Sequence, residues 1–157
     1  MEQTAVSYAG FWKRFVAALI DYAIIGVVAI VPVMMLVGFG AATNMSSMGD
    51  DPEASAGLLA AAMGATSLIF LGVGVGAWLY FALMESSAKG GTLGKMALGI
   101  RVTDLSGNKI SFARATGRYF GKIVSRMILY IGYIMAGVTQ QKQALHDIMA
   151  GCLVVNK

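Results

Sequence analysis

From Phe15 to about Phe39 the chain is almost continuously apolar, and from Leu58 to Met84 it is so again. About 20 mainly apolar helical residues cross the hydrocarbon of a bilayer, so the pattern predicts transmembrane helices over 15–39 and 58–84. Between them GAATNMSSMGDDPEASAG is small, polar and acidic, with Pro52 discouraging continuous structure. A short external loop is expected there. After Met84 the pattern changes. GIRVTD and KIS alternate imperfectly around the turn-like LSGN, which predicts a β-hairpin over about 99–111. The β-prone CLVVN, residues 152–156, can add a strand to it. FARATGRYFGKIVSR places Arg114, Arg118, Lys122 and Arg126 at steps of four, so they share roughly a third of a helix circumference. That pattern fits a helix lying in the interface with its cations toward anionic head groups, or a tilted third span whose cations snorkel. MILYIGYIMAGV, residues 127–138, is too short to cross alone and suits a re-entrant or partly embedded element. The expected fold is an all-α membrane protein in one domain over 1–157. It has two clear transmembrane helices, a basic amphipathic or re-entrant section over about 112–139, and a small cytoplasmic hairpin that the C-terminal strand can join.

Composition strengthens the membrane reading: 57% of residues are hydrophobic and 13% charged, unlike a soluble globular domain. The distribution of charge supplies a direction. Lys13 and Arg14 precede the first apolar run, residues 15–88 contain no Lys or Arg, and the remaining cations all lie from Lys89 onward. Because Lys and Arg flank spans on the cytoplasmic side, the amino terminus and the section from residue 85 onward are expected in the cytoplasm and the acidic loop outside; a tail strand that joins the hairpin puts the carboxyl terminus in the cytoplasm as well. The first run is too long for the apolar region of a cleaved signal peptide and contains Asp21, so it is expected to be retained.

One cysteine, Cys152, and one histidine, His146, leave little for a disulfide, a metal centre or a nucleophilic triad. No catalytic residue, metal or cofactor is assigned. An enzyme acting on lipid head groups ranks last, having only His146, Asp147 and nearby cations to recommend it. GGTLGK fails the phosphate-loop pattern, since Lys89 stands at the first glycine and Met96 at the hydroxyl position; nucleotide and nucleic-acid partners are not expected. Its glycines suit a sharp turn after Glu85, with Lys89, Lys95 and, further on, Arg114 near lipid phosphates.

Asp21 is the residue that asks for a function. A central aspartate costs about 2.5–3.5 kcal/mol on insertion scales and normally faces protein or water. Arg14 lies two turns earlier on nearly the same face, and Arg14, Arg118, Lys122 and Arg126 are the candidate partners. Pro32 frees the carbonyl of Val28, which with Asp21 could serve a hard cation or simply mark a kink. Gly57, Ala61 and Ala65, and Gly72 with Gly76, recur at a spacing that permits close helix approach, within the chain or between copies.

GFWKRFVAALIDYAII, FALMESS, GGTLGKMALGIRVTDLSGNKIS and LHDIMAGCLVV together resemble the RDD family of bacterial membrane proteins, named for an arginine and two aspartates. The resemblance places the trio on Arg14, Asp21 and Asp147, with Asp104 the less favoured second aspartate. It departs from the usual pattern at Cys152, where threonine is common, and at Met96, where a basic residue is frequent. It implies monovalent cation/proton antiport, with Na+, Li+ or K+ as the ion, as one function. In that reading an oligomer carries the path, Asp21 is the coupling acid, Arg14 tunes it and Asp147 is a second site. The alternative is a non-enzymatic accessory or lipid-binding module, bound to anionic lipids, in which the trio is a structural ion network and Glu85, Arg118, Lys122 and Arg126 are secondary members.

Overall fold

A computed structural model describes residues 6–47, 52–128 and 131–157. The element order is α1 (Phe11–Ser47), α2 (Pro52–Ser86), α3 (Leu93–Ala97), β1 (Ile100–Asp104), α4 (Phe112–Met127), α5 (Ile131–Val138), α6 (Leu145–Met149) and β2 (Cys152–Asn156). The protein is mostly helical, and among the described residues two helices are each long and apolar enough to cross a membrane, Phe11–Gly40 and Glu53–Ser86.

Both long helices outrun the sequence boundaries. The polar linker was expected to be a loop; its residues 48–51 lie outside those described, and on either side α1 continues to Ser47 and α2 starts at Pro52. The reason is local. Proline at the first helical position has no amide hydrogen to lose and its fixed φ already suits the helix, so Pro52 opens α2 rather than disrupting it. Pro32 likewise lies inside α1, which runs on past it.

The chain divides into two compact units, residues 23–77 and residues 1–22 with 78–157. The first consists of helical arms without a buried centre. No residue in the most apolar window of either spanning helix is buried, and a Cβ built at Gly57, Gly64, Gly72 or Gly76 would meet nothing within 4 Å. Close packing within the chain, one expected use of these small residues, is therefore not what they serve.

The second unit holds the core. Ala9, Ala17, Ala82, Ile100, Val102, Ile110, Ala115, Cys152 and Val154 form its buried apolar cluster. β1 and β2 pair antiparallel, from Ile100 opposite Asn156 to Asp104 opposite Cys152, as expected for the C-terminal strand. The second hairpin arm, KIS, does not form a strand. β1 has no edge left for it: β2 occupies one side, and Val102 N–H donates to the Gly90 carbonyl at 2.6 Å on the other. Instead Asp104 Oδ1 accepts from the amides of Ser106 and Asn108 at 2.9 and 2.8 Å, Ile110 is buried, and Ser111 caps α4 by accepting from Arg114 N–H. The far edge of β2 is taken by the amino-terminal segment, with a bridge from Tyr8 to Val155 and Ala9 N–H donating to the Val154 carbonyl at 2.9 Å. Both edges of β2 are bonded, and four consecutive residues, which alternate between its two faces, are buried; burial on both faces explains its unbroken apolar run.

The section over 112–139 forms two helices, α4 and α5, at 105° to each other. α4 is amphipathic in the opposite sense to the one expected. Arg118 and Lys122 are buried, while Phe112, Phe120, Ile123 and Met127 are exposed. Periodicity finds the two faces; only the partners of the charged face decide which turns inward.

Candidate functional site: a buried ion network

Asp147 is the first residue to account for. It sits in α6, completely buried, and its carboxylate receives donors from three separate parts of the chain. Arg14 Nη1 of α1 reaches Oδ2, Arg118 Nε and Nη2 of α4 reach Oδ1 at 3.0 and 2.5 Å, and Ala144 N–H reaches Oδ2 at 3.1 Å. Burial alone would raise this carboxyl, but Arg118, the neighbouring His146 and Arg14, with the Ala144 amide, outweigh it and hold the group below the usual carboxylate range.

Arg118 extends the network. Its third donor, Nη1, reaches Glu85 Oε2 at 2.9 Å near the end of α2, while Glu85 Oε1 takes Lys95 of α3 and, at 3.3 Å, Lys122 of α4. Lys122 Nζ also lies 4.3 Å from the Phe81 ring centroid. Arg14, Lys95, Arg118 and Lys122 thus converge on the two carboxylates Glu85 and Asp147. Lys95 is pushed down to about 7 by burial, against the pull of Glu85. Burial also pushes His146 down to about 3, leaving a neutral ring whose Nδ1 lies 3.4 Å from Ser125 Oγ.

Asp21 is buried as well, but no cation holds it. Oδ1 accepts from Tyr80 Oη at 2.9 Å and from Gly94 N–H at 2.8 Å, and Oδ2 accepts from Thr92 Oγ1 at 2.5 Å. The expected pairing with Arg14, Arg118, Lys122 or Arg126 is overturned, because the turn after α2 brings neutral donors to the carboxylate first. Gly94 makes that possible: a Cβ there would lie 2.1 Å from the Ala17 carbonyl oxygen and 3.1 Å from Asp21 Cγ. Only a residue without a side chain lets α3 come this close to α1.

Other expected residues divide cleanly. Lys95, Arg118 and Lys122 are buried and point into the network, whereas Lys89 and Arg114 are exposed. Arg126 is exposed and donates to Tyr22 Oη at 2.7 Å. Asp104 serves its own turn and is not joined to the network, so Asp147 is the aspartate that Arg14 meets. Tyr80, Thr92 and Gly94 were not anticipated; Thr92 and Gly94 lie in GGTLGK, where the glycines were read only as a turn. Among the described residues no cluster of three or more His, Cys, Asp or Glu could hold a metal ion.

Two membrane-length helices, whose bases are tied by buried charges to a small sheet and short helices, define a helical membrane protein with a charged cap. The RDD family model matches residues 8–151, and the chain belongs to that family. It is 36% identical to an uncharacterized Bacillus subtilis protein, YxaI, over 95% of this chain and 97% of that one. It is also 31% identical to an uncharacterized Bacillus subtilis membrane protein, YteJ, over 96% and 82% of the respective chains. No solved structure matches.

Proposed function

We propose that the chain is a non-enzymatic membrane module in which Arg14, Asp147, Arg118 and Glu85 clamp the carboxyl-terminal section to the bases of the two spans. The observation that carries this reading is Asp147, fully buried and held by cations from both α1 and α4. Removing one partner of a buried ion pair leaves an uncompensated charge and costs about 3–5 kcal/mol. Such a clamp fits a part that holds shape rather than one that turns over. The two chain ends, bridged at Tyr8 and Val155, lie on one side; with the cation bias this is the cytoplasmic face of an inner membrane. The bare apolar surfaces and small-residue faces of the spans suit self-association.

A second reading, monovalent cation/proton antiport by an oligomer with Asp21 as coupling acid, draws support from one feature. Asp21 borders a cavity of about 520 Å³. Against it, three of the carboxylate's roughly four lone-pair sites already accept from protein donors, which leaves little for a sodium ion that takes several oxygen ligands.

Reconstituted liposomes carrying a pH gradient separate the two. The clamp reading expects sodium to collapse the gradient no faster than in empty liposomes, and Asp147→Asn to lower thermal stability. Sodium-dependent collapse that Asp21→Asn abolishes, in a variant as stable as the parent, establishes the second reading instead.

A further inference from the structure

The network is unbalanced, and the imbalance faces a cavity. Arg14, Lys95, Arg118 and Lys122 are set against Glu85 and Asp147 alone, and each of those carboxylates is already shared by at least two of the cations. All four cations line the cavity of about 520 Å³, and Arg126 joins them at its wall. Asp21, the one carboxylate that lines it, has its oxygens occupied by Tyr80, Thr92 and Gly94. In low dielectric, unmatched positive charge is costly, and a further anion relieves it. The rest of the wall is mostly apolar, including Phe15, Leu19, Phe81 and Ile134, with Tyr22, Tyr133 and His146 among it. An apolar pocket of a few hundred Å³ with a few converging charged groups is the usual form of a small-molecule site.

We propose that this cavity binds one anionic lipid, its phosphate between Lys122 and Arg126 and its glycerol and first methylenes along Phe15, Leu19 and Ile134. A free inorganic anion would satisfy the cations but leave that wall uncovered; a zwitterionic lipid would cover the wall but bring its own cation toward Lys122. The position suits a lipid, since Arg14 and Glu85 stand near the ends of the two spans, where head groups lie. Juxtamembrane cations attract anionic lipid over zwitterionic lipid. The proposal goes beyond the clamp and uses it only as a fixed wall.

The test uses the full chain in detergent, titrated with phosphatidylglycerol, phosphatidylcholine or inorganic phosphate and followed by native mass spectrometry and thermal shift. Phosphatidylglycerol is expected to be retained one per chain and to raise the melting temperature, with phosphatidylcholine at least tenfold weaker and phosphate without effect. Two variants of exposed residues avoid the core: Arg126→Gln removes a head-group cation and Leu19→Trp fills the apolar wall. Each is expected to weaken phosphatidylglycerol binding tenfold or more, with Leu19→Trp leaving the lipid-free melting temperature unchanged. Equal retention of phosphatidylcholine, a full shift from phosphate alone, or unaltered binding by both variants overturns the lipid site. If any of these occurs while Asp147→Asn still destabilises the protein, the clamp stands and only the lipid assignment falls.

Discussion

At the residue scale, two aspartates on the same membrane protein are solved in different ways. Asp147 is matched by charge, Asp21 by three neutral donors, and the difference predicts different tolerance. Asp21→Ala orphans the Gly94 amide and leaves the Tyr80 and Thr92 hydroxyls to find other partners, at about 1–3 kcal/mol per orphaned buried group. Asp21→Asn is expected to cost about 1 kcal/mol, because its oxygen can keep Tyr80 and Gly94 while the Thr92 hydroxyl rotates to accept from the new amide; chemical denaturation in detergent measures both. Gly94→Ala is expected to be more damaging than Asp21→Asn, since its Cβ would overlap the Ala17 carbonyl of another helix. His146 provides the pH dependence. Its folded value, about 3, lies below its ordinary 6.5, so between those values the unfolded chain binds the proton and the folded chain does not. Stability should therefore rise with pH across that window, by up to roughly 1.4 kcal/mol per pH unit. Asp147 is depressed too, and its contribution is lost as pH falls below its ordinary value near 3.8. Melting curves of the parent and His146→Asn between pH 3 and 6.5 check this: the variant should lose most of the slope above pH 4.

At the element scale, what could be read from the sequence followed from how local the cause was. The two spans are legible because a run such as VVAIVPVMMLVGFG has one environment that tolerates it, and CLVVN announces a strand buried on both faces. The hairpin misled because LSGN is a genuine turn; what decides against a second arm is Gly90, distant in sequence, already bonded to Val102. The stripe on α4 misled for a related reason. Spacing of four places Arg118 and Lys122 on one face, but only the nonlocal arrival of Glu85 and Asp147 turns that face inward and leaves Phe120 and Ile123 outside. The trio itself was legible by resemblance, yet its geometry was not: Arg14 meets Asp147 across 133 positions of chain, while Asp21 goes elsewhere. One consequence is testable on α4. Arg118→Met removes the residue that joins Glu85 to Asp147 and leaves both carboxylates short of a partner. A loss of about 3–5 kcal/mol is expected, whereas Arg114→Met, on an exposed residue, should fall within about 0.5 kcal/mol; the two are compared by denaturation in the same detergent.

At the scale of the whole molecule, the charged unit built from residues 1–22 and 78–157 is the part with a specified interior, and the spanning helices present apolar surface in their most apolar stretches. Stability should accordingly reside in the section built from both chain ends, α3 to α6 and the sheet. Arg14 and Asp147 are where that section and the first span are joined, and a double-mutant cycle on Arg14→Met and Asp147→Leu reads the join without assuming what either residue does alone. Each single variant should lose about 3–5 kcal/mol, and the pair together should lose clearly less than the sum, with a coupling of about 2 kcal/mol or more. Additive losses, or single variants as stable as the parent, would mean that these two charges do not hold the cap to the membrane helices.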